Sequence, residues 1–227
     1  MKTRSRFALF LVLLSAMSRT VPAAPTVIPV YEEPRHRLVY EKGDYRIINV
    51  SIPAGDTSLY HHHQNPTLFV MLSGALMRNQ NLGGEWTDPG PTMVTKVGAF
   101  VFMDYPKPQD HRVQNTDHQS FQAIGVINSG NGSGSSVTLS QMPEVDNRWF
   151  NGYRFKLAGG EKSAVHHHQY PVLVVQVGNG HSDVIERGYP TAEKTVAGNW
   201  STHEAGVDHI LQNLGNGEIE LVEIEMK

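Results

Sequence analysis

The sequence predicts an all-β protein built from two related modules, and three observations carry that reading. Short runs rich in β-branched and aromatic residues recur between Gly, Pro, Asn and Asp: Tyr45 to Ile52, Thr67 to Leu72, Ala99 to Met103, Phe121 to Ile127, Val172 to Val177 and Glu218 to Met226. Beyond the N-terminal segment, no stretch longer than about 12 residues carries apolar spacing of period 3.6. Third, the chain repeats itself, which fixes the number of modules. Short strands with regular turn signals indicate a sandwich or barrel.

Composition sets the limits. The chain has 227 residues, 39% hydrophobic and 18% charged, which is enough to bury a core. A net charge of -3 offers no basic excess to neutralise a phosphate backbone, so nucleic acid is not an expected partner. There is no cysteine. Disulfides, thiolate-bound metals and a thiol nucleophile are therefore excluded, and any metal must be held by nitrogen and oxygen.

The first element is a leader. Lys2, Arg4 and Arg6 precede an uncharged apolar stretch, Phe7 to Met17, which is too short to span a bilayer. Val21-Pro22-Ala23 supplies small residues before a cleavage site, so residues 1–23 are expected to be a signal peptide and Ala24 the mature start. With no Cys after the apolar stretch, no lipoprotein anchor is expected. Removing Lys2, Arg4, Arg6 and Arg19 takes the net charge from -3 to -7. A secreted or periplasmic, mildly acidic protein without a membrane anchor is the expectation.

The repeat comes next. Ala54 to Pro66 matches Gly159 to Pro171: in each, a Gly stands six positions before a His triplet and Gln-x-Pro follows it. Each triplet leads into an apolar run, a polar Gly-rich loop and a His followed four residues later by Asn, namely His111 with Asn115 and His209 with Asn213. The modules are placed at 34–130 and 145–227. Between them lies a linker, residues 131–144, entered through the Gly- and Ser-rich stretch Ser129 to Ser136.

Strand alternation puts His61 and His63 on one face and His62 on the other, and likewise His166 and His168 against His167. Two imidazoles two residues apart can share an ion, and His111 and His209 are the candidate third ligands. The donor type calls for a divalent transition metal (Fe, Zn, Ni, Cu or Mn) rather than Mg²⁺ or Ca²⁺, which prefer oxygen.

With these residues in place the sequence resembles the cupin superfamily, in its two-domain bicupin form. The family's first motif, G-x5-H-x-H-x3,4-E-x6-G, is met by Gly55, His61, His63 and Gly74, with Thr67 at the Glu position. In the second module Gly160, His166 and His168 match, Val172 replaces Glu, and Gly178 closes one residue early. The second motif, G-x5-P-x-G-x2-H-x3-N, is met by Gly198, Gly206, His209 and Asn213, with Glu204 for Pro. In the first module it runs Gly98, Pro106, Pro108, His111, Asn115, with two extra residues that threaten to displace His111. The resemblance implies two tandem jelly-roll barrels. It also implies metal sites His61/His63/His111 and His166/His168/His209, with no carboxylate and a position open to substrate. Such sites look like those of the thiol-dioxygenase branch, and equally suit a Lewis-acid metal.

On that implication the chain is an exported bicupin doing metal-dependent, dioxygenase-like chemistry on a small molecule. The alternative is a non-catalytic binder of a small molecule or carbohydrate. Tyr170 shares the inner-face parity with Asn65 and is the candidate proton donor. The second module, with its better preserved spacing, is the expected occupied site, and exposed barrel edges allow a homodimer. His36, His118, His181 and His203 match no spacing and are read as solvated.

Overall fold

The computed structural model describes residues 24–91, 96–134 and 139–227; the expected leader, residues 1–23, lies outside them. Among the described residues, no helix is long and apolar enough to cross a membrane.

The first module runs β1 (Ile28–Pro29), β2 (His36–Lys42), β3 (Tyr45–Ile52), β4 (His61–His63), β5 (Thr67–Met71), β6 (Leu76–Asn81), β7 (Gly90–Pro91), β8 (Phe100–Met103), β9 (Gln109–Asn115) and β10 (Phe121–Asn128). These form two facing sheets, ordered β1-β4-β9-β6-β7 and β2-β3-β10-β5-β8. The second module has β11 (Val145–Asp146), β12 (Phe150–Leu157), β13 (Val172–Gln176), β14 (Ser182–Glu186), β15 (Tyr189–Pro190), β16 (Trp200–His203), β17 (His209–Asn213) and β18 (Ile219–Met226). Its sheets are ordered β11-β12-β18-β13-β16 and β15-β14-β17. Every apolar run read as a strand is one, to within a residue at its ends.

Why those runs are continuous rather than alternating is explained by what covers them. Strands β5, β10, β13 and β18 are buried on both faces. One face of each lines its own barrel: Met71 and Ala123 in the first module, Val174 and Leu221 in the second. The other face builds a core shared between modules, in which Leu68, Val70, Ile124 and Val126 meet Leu173, Val175, Val222 and Ile224. Trp149, stacked on Phe102 at 5.9 Å, and Trp200, against Tyr40 at 6.1 Å, border this shared core. Polar ties cross it as well: Asn128 Nδ2 donates to the Lys227 carbonyl at 2.8 Å, and Arg154 Nη2 to the Gly98 carbonyl at 2.7 Å.

Gly98 and Gly198, which open the second motif, mark the approximate two-fold relation. Both have positive φ, +80° and +81°. A Cβ on Gly98 would stand 2.8 Å from Val177 Cγ1, and one on Gly198 would stand 2.8 Å from Leu72 Cδ1. Leu72 and Val177 end equivalent apolar runs, so each glycine lets one module seat against the other.

Two candidate metal centres

In the first module, β4 and β9 pair antiparallel with His61 opposite His111. The His61, His63 and His111 rings lie with centroids 4.6–5.0 Å apart, and one ring nitrogen from each falls within 4.8 Å of the others. The two-residue insertion does not displace His111. It is absorbed at Tyr105, whose φ of +50° supplies the left-handed turn that Gly206 (φ +72°) makes in the second module.

The tautomers are set from behind. His61 Nδ1 donates to the Leu59 carbonyl at 2.9 Å and His111 Nδ1 to Asn79 Oδ1 at 2.6 Å. Both Nε2 atoms are then lone-pair acceptors, and both are buried without a hydrogen-bond partner. Orphaned nitrogens of this kind fit a metal ion. Burial, with the neighbouring imidazoles second, pushes the pKa of His61 down to about 2 and that of His111 down to about 4; His63 is lowered by the same causes. All three therefore stay neutral, as ligands must.

The cluster opens on a cavity of about 380 Å³. Tyr105 lines it, its ring stacked on His63 at 4.6 Å, and burial raises its phenol pKa. His36 lines it too, which corrects the reading of that residue as solvated. It is 6% exposed, its ring is 4.5 Å from His61, and its Nδ1 is 2.7 Å from Glu33 Oε2. Burial alone would raise Glu33, but the His36 hydrogen bond and charge and the N–H groups of Leu59 and Arg35 outweigh it and hold the carboxyl low.

The second centre differs from expectation in its donor set. His166, His168 and His209 converge, and Glu223 joins them. Glu223 is fully buried, with oxygens 2.9 Å from His168 Nε2, 2.9 Å from His209 Nε2 and 3.1 Å from His166 Nε2. The expected carboxylate-free site is corrected: it is a three-His, one-Glu cluster. The carboxylate comes not from the motif position, Val172, but from β18, where Glu223 pairs with Val174. No motif spacing marked it: the alternation of Glu223 and Glu225 with Val222 and Ile224 shows only that the two acids share a face of β18.

Hydrogen bonding again tests the fit. His166 Nδ1 faces the Ala164 carbonyl at 2.9 Å and His209 Nδ1 the Val207 carbonyl at 3.2 Å, while their Nε2 atoms face Glu223. A neutral imidazole has one N–H, so an added cation, proton or metal, must balance each second contact. Burial raises the Glu223 carboxyl, but hydrogen bonds from the three imidazoles outweigh it and hold it well below its ordinary value. Burial likewise lowers His166, and its Glu223 bond and charge reverse the sign.

Further polar groups share this barrel interior with the apolar cluster of Val174, Val184 and Leu211. Lys194, 1% exposed, donates to the Ala192 carbonyl at 2.9 Å and to Ser201 Oγ at 2.8 Å, and burial lowers its pKa to about 8. Ser201 Oγ is 2.7 Å from His203 Nε2, and His203 Nδ1 is bonded to Glu186. His203 is thus buried, stacked on His209 at 5.6 Å, another correction to a residue read as solvated.

Other residues singled out lie apart. Tyr170 is half-buried, its N–H 3.4 Å from Glu225 Oε1, and its ring helps to raise the Tyr45 phenol, after burial and Asp44; it is not among the converging groups. Thr67 turns its hydroxyl to the Asn65 carbonyl at 3.0 Å. His62 and His167 point outward to Asp110 and Asp208, as parity requires.

No protein-family model matches the chain, and no curated protein matches it. Solved structures do. The cupin 2 conserved barrel domain protein from Leptotrichia buccalis aligns over 84% of this chain and 88% of its own, at 10% identity and TM-score 0.53. A salicylate 1,2-dioxygenase variant from Pseudoaminobacter salicylatoxidans aligns over 81% and 71%, at 10% identity and TM-score 0.57. An oxalate decarboxylase variant from Bacillus subtilis aligns over 92% and 78%, at 12% identity and TM-score 0.53. The fold is therefore the cupin fold, and the chain has the bicupin form, two cupin barrels in one polypeptide.

Proposed function

We propose that this is an exported bicupin whose first module carries out metal-dependent, dioxygenase-like chemistry on a small molecule, while the second module holds its ion in a closed, four-donor site. The observation that carries the reading is the pair of orphaned, buried Nε2 atoms on His61 and His111 at the edge of a cavity. Its volume, about 380 Å³, falls within the range of small-molecule sites. Among structures of the same fold, two by their titles are a salicylate dioxygenase and an oxalate decarboxylase.

His61, His63 and His111 would hold a divalent transition metal in the first module, and His166, His168, His209 and Glu223 one in the second. With three protein donors, an ion held in the first module would supply Lewis-acid or redox chemistry there. The chain's own residues do the rest. Leu59 and Asn79 fix the tautomers of His61 and His111. The apolar walls keep water from the reacting groups. The Tyr105 phenol, held protonated by burial, can donate a hydrogen bond to developing negative charge.

The test is oxygen uptake by iron-loaded, untagged protein offered thiols, catechols and flavonoids. Uptake with at least one class, lost in His61→Ala/His63→Ala, is expected; no uptake with any class in protein carrying metal would leave a non-catalytic binder as the better reading.

A further inference from the structure

The walls of the first-module cavity say what it admits. Phe69, Phe121, Met71, Met77, Met103 and Val113 are among the apolar residues that line it, and the polar residues on the lining are the imidazoles, Tyr105, Gln109, Asn79, Thr87 and Arg78. Among the described residues lining it there is no Asp, Glu or Lys. One Arg is present, Arg78, and its guanidinium is committed elsewhere: Nε donates to Gln114 Oε1 at 2.5 Å, and the group lies 4.6 Å from the Trp86 ring centre, where Arg112 stacks as well. β6 alternation agrees, since Met77 and Asn79 face inward and Arg78 outward. Asn79 is likewise committed, to His111.

A carboxylate or ammonium entering this cavity would lose its hydration with no counter-charge on the walls to replace it. A flat apolar molecule would gain from Phe, Met and Val contacts, with sulfur–aromatic contacts added. We propose that the walls of the first module select an uncharged planar aromatic of about two fused rings, bearing one small polar group such as a hydroxyl at the imidazole end, and disfavour carboxylated analogues wherever no metal ion balances their charge. This rests on the reading of the first module as the reactive centre, and it sets that cavity apart from sites built for anions.

The experiment is calorimetric titration of the full chain with 2-naphthol, 2-naphthoate and 2-naphthyltrimethylammonium, in metal-free and metal-loaded protein. The metal-free arm isolates the walls, because no ion is there to attract the carboxylate. 2-Naphthol is expected to bind at least tenfold more tightly than either charged probe in that arm. Met77→Lys or Met103→Lys, each adding a cation to the wall, should reverse the preference towards 2-naphthoate. Absence of 2-naphthol binding, or 2-naphthoate binding as tightly in metal-free protein, overturns the proposal. If the protein takes up no metal while the selectivity holds, the metal reading fails and the substrate class stands.

Discussion

Gly125 and Glu223 occupy the same place in the two modules. Gly125 on β10 pairs with Phe69 and Ile48; Glu223 on β18 pairs with Val174 and Tyr153, at the equivalent rungs. In the second module the position carries the fourth donor. In the first it has no side chain at all, and a Cβ there would lie 2.8 Å from Phe69 Cε1 and 2.9 Å from Ile48 Cγ1. The Phe69 ring thus takes the volume that a carboxylate would need, and the same substitution leaves the imidazoles facing an apolar cavity.

Gly125→Glu is therefore expected to destabilise rather than complete the first site. Overpacking costs about 1–3 kcal/mol, and an unpaired buried carboxylate adds to it. Gly125→Glu with Phe69→Val should recover part of the loss and raise first-module metal affinity. Thermal unfolding and metal titration check both.

Glu223→Gln should weaken metal binding in the second module by at least about tenfold and leave the first unchanged, because it removes a charge from the donor set. Equilibrium dialysis against zinc, with elemental analysis, reads this directly.

The two centres should answer to pH differently. In metal-free protein the depressed pKa values of His61 and His111 mean that protons bind the unfolded chain better. Their stabilisation is complete above about pH 6.5. It falls as pH drops from there towards about 4 for His111 and about 2 for His61. Glu223, also depressed, adds stability present above about pH 4.5 and lost on further acidification. His166, raised, adds stability present below about 6.5 and lost as pH climbs through its folded value. Metal release followed against pH should thus be a His-only process from the first module and include a carboxylate step from the second. A His166→Ala variant isolates the first process and a His61→Ala variant the second.

Gly198→Ala tests the joint between modules. It combines a left-handed φ with a 2.8 Å approach to Leu72, and should lower stability by about 2 kcal/mol, a shift in Tm of about 4–8 °C at this chain length. Pairing it with Leu72→Ala should relieve the clash but not the strain, so the double variant should show less than the sum of the two losses.

How much was legible follows from where each signal came from. Doubly buried strands such as Val172 to Val177 announce themselves by composition, and the His triplets by repetition. β9 is different: Gln109 to Asn115 holds one aliphatic residue, Val113, because its inner face carries His111 and its outer face is polar, so only the motif marked it. Glu223 was missed because its donor role depends on which strand lies beside β13, a non-local fact that a motif spacing does not contain. His36 and His203 were missed for the same reason: tertiary pairing, with Glu33 and Glu186, is what keeps them buried. Tyr105 was hidden by the insertion whose turn it makes.

The central claim is that the first module, with three histidines and an open cavity, is the reactive metal centre. The measurement is metal content and oxygen uptake of untagged, iron-loaded protein in three forms: unaltered, His61→Ala/His63→Ala, and His166→Ala/His168→Ala. Two equivalents of metal are expected in the first form and one in each variant, with oxygen uptake abolished by the first pair and retained in the second. Uptake that survives the first pair and disappears with the second would place the chemistry in the other barrel and contradict the account.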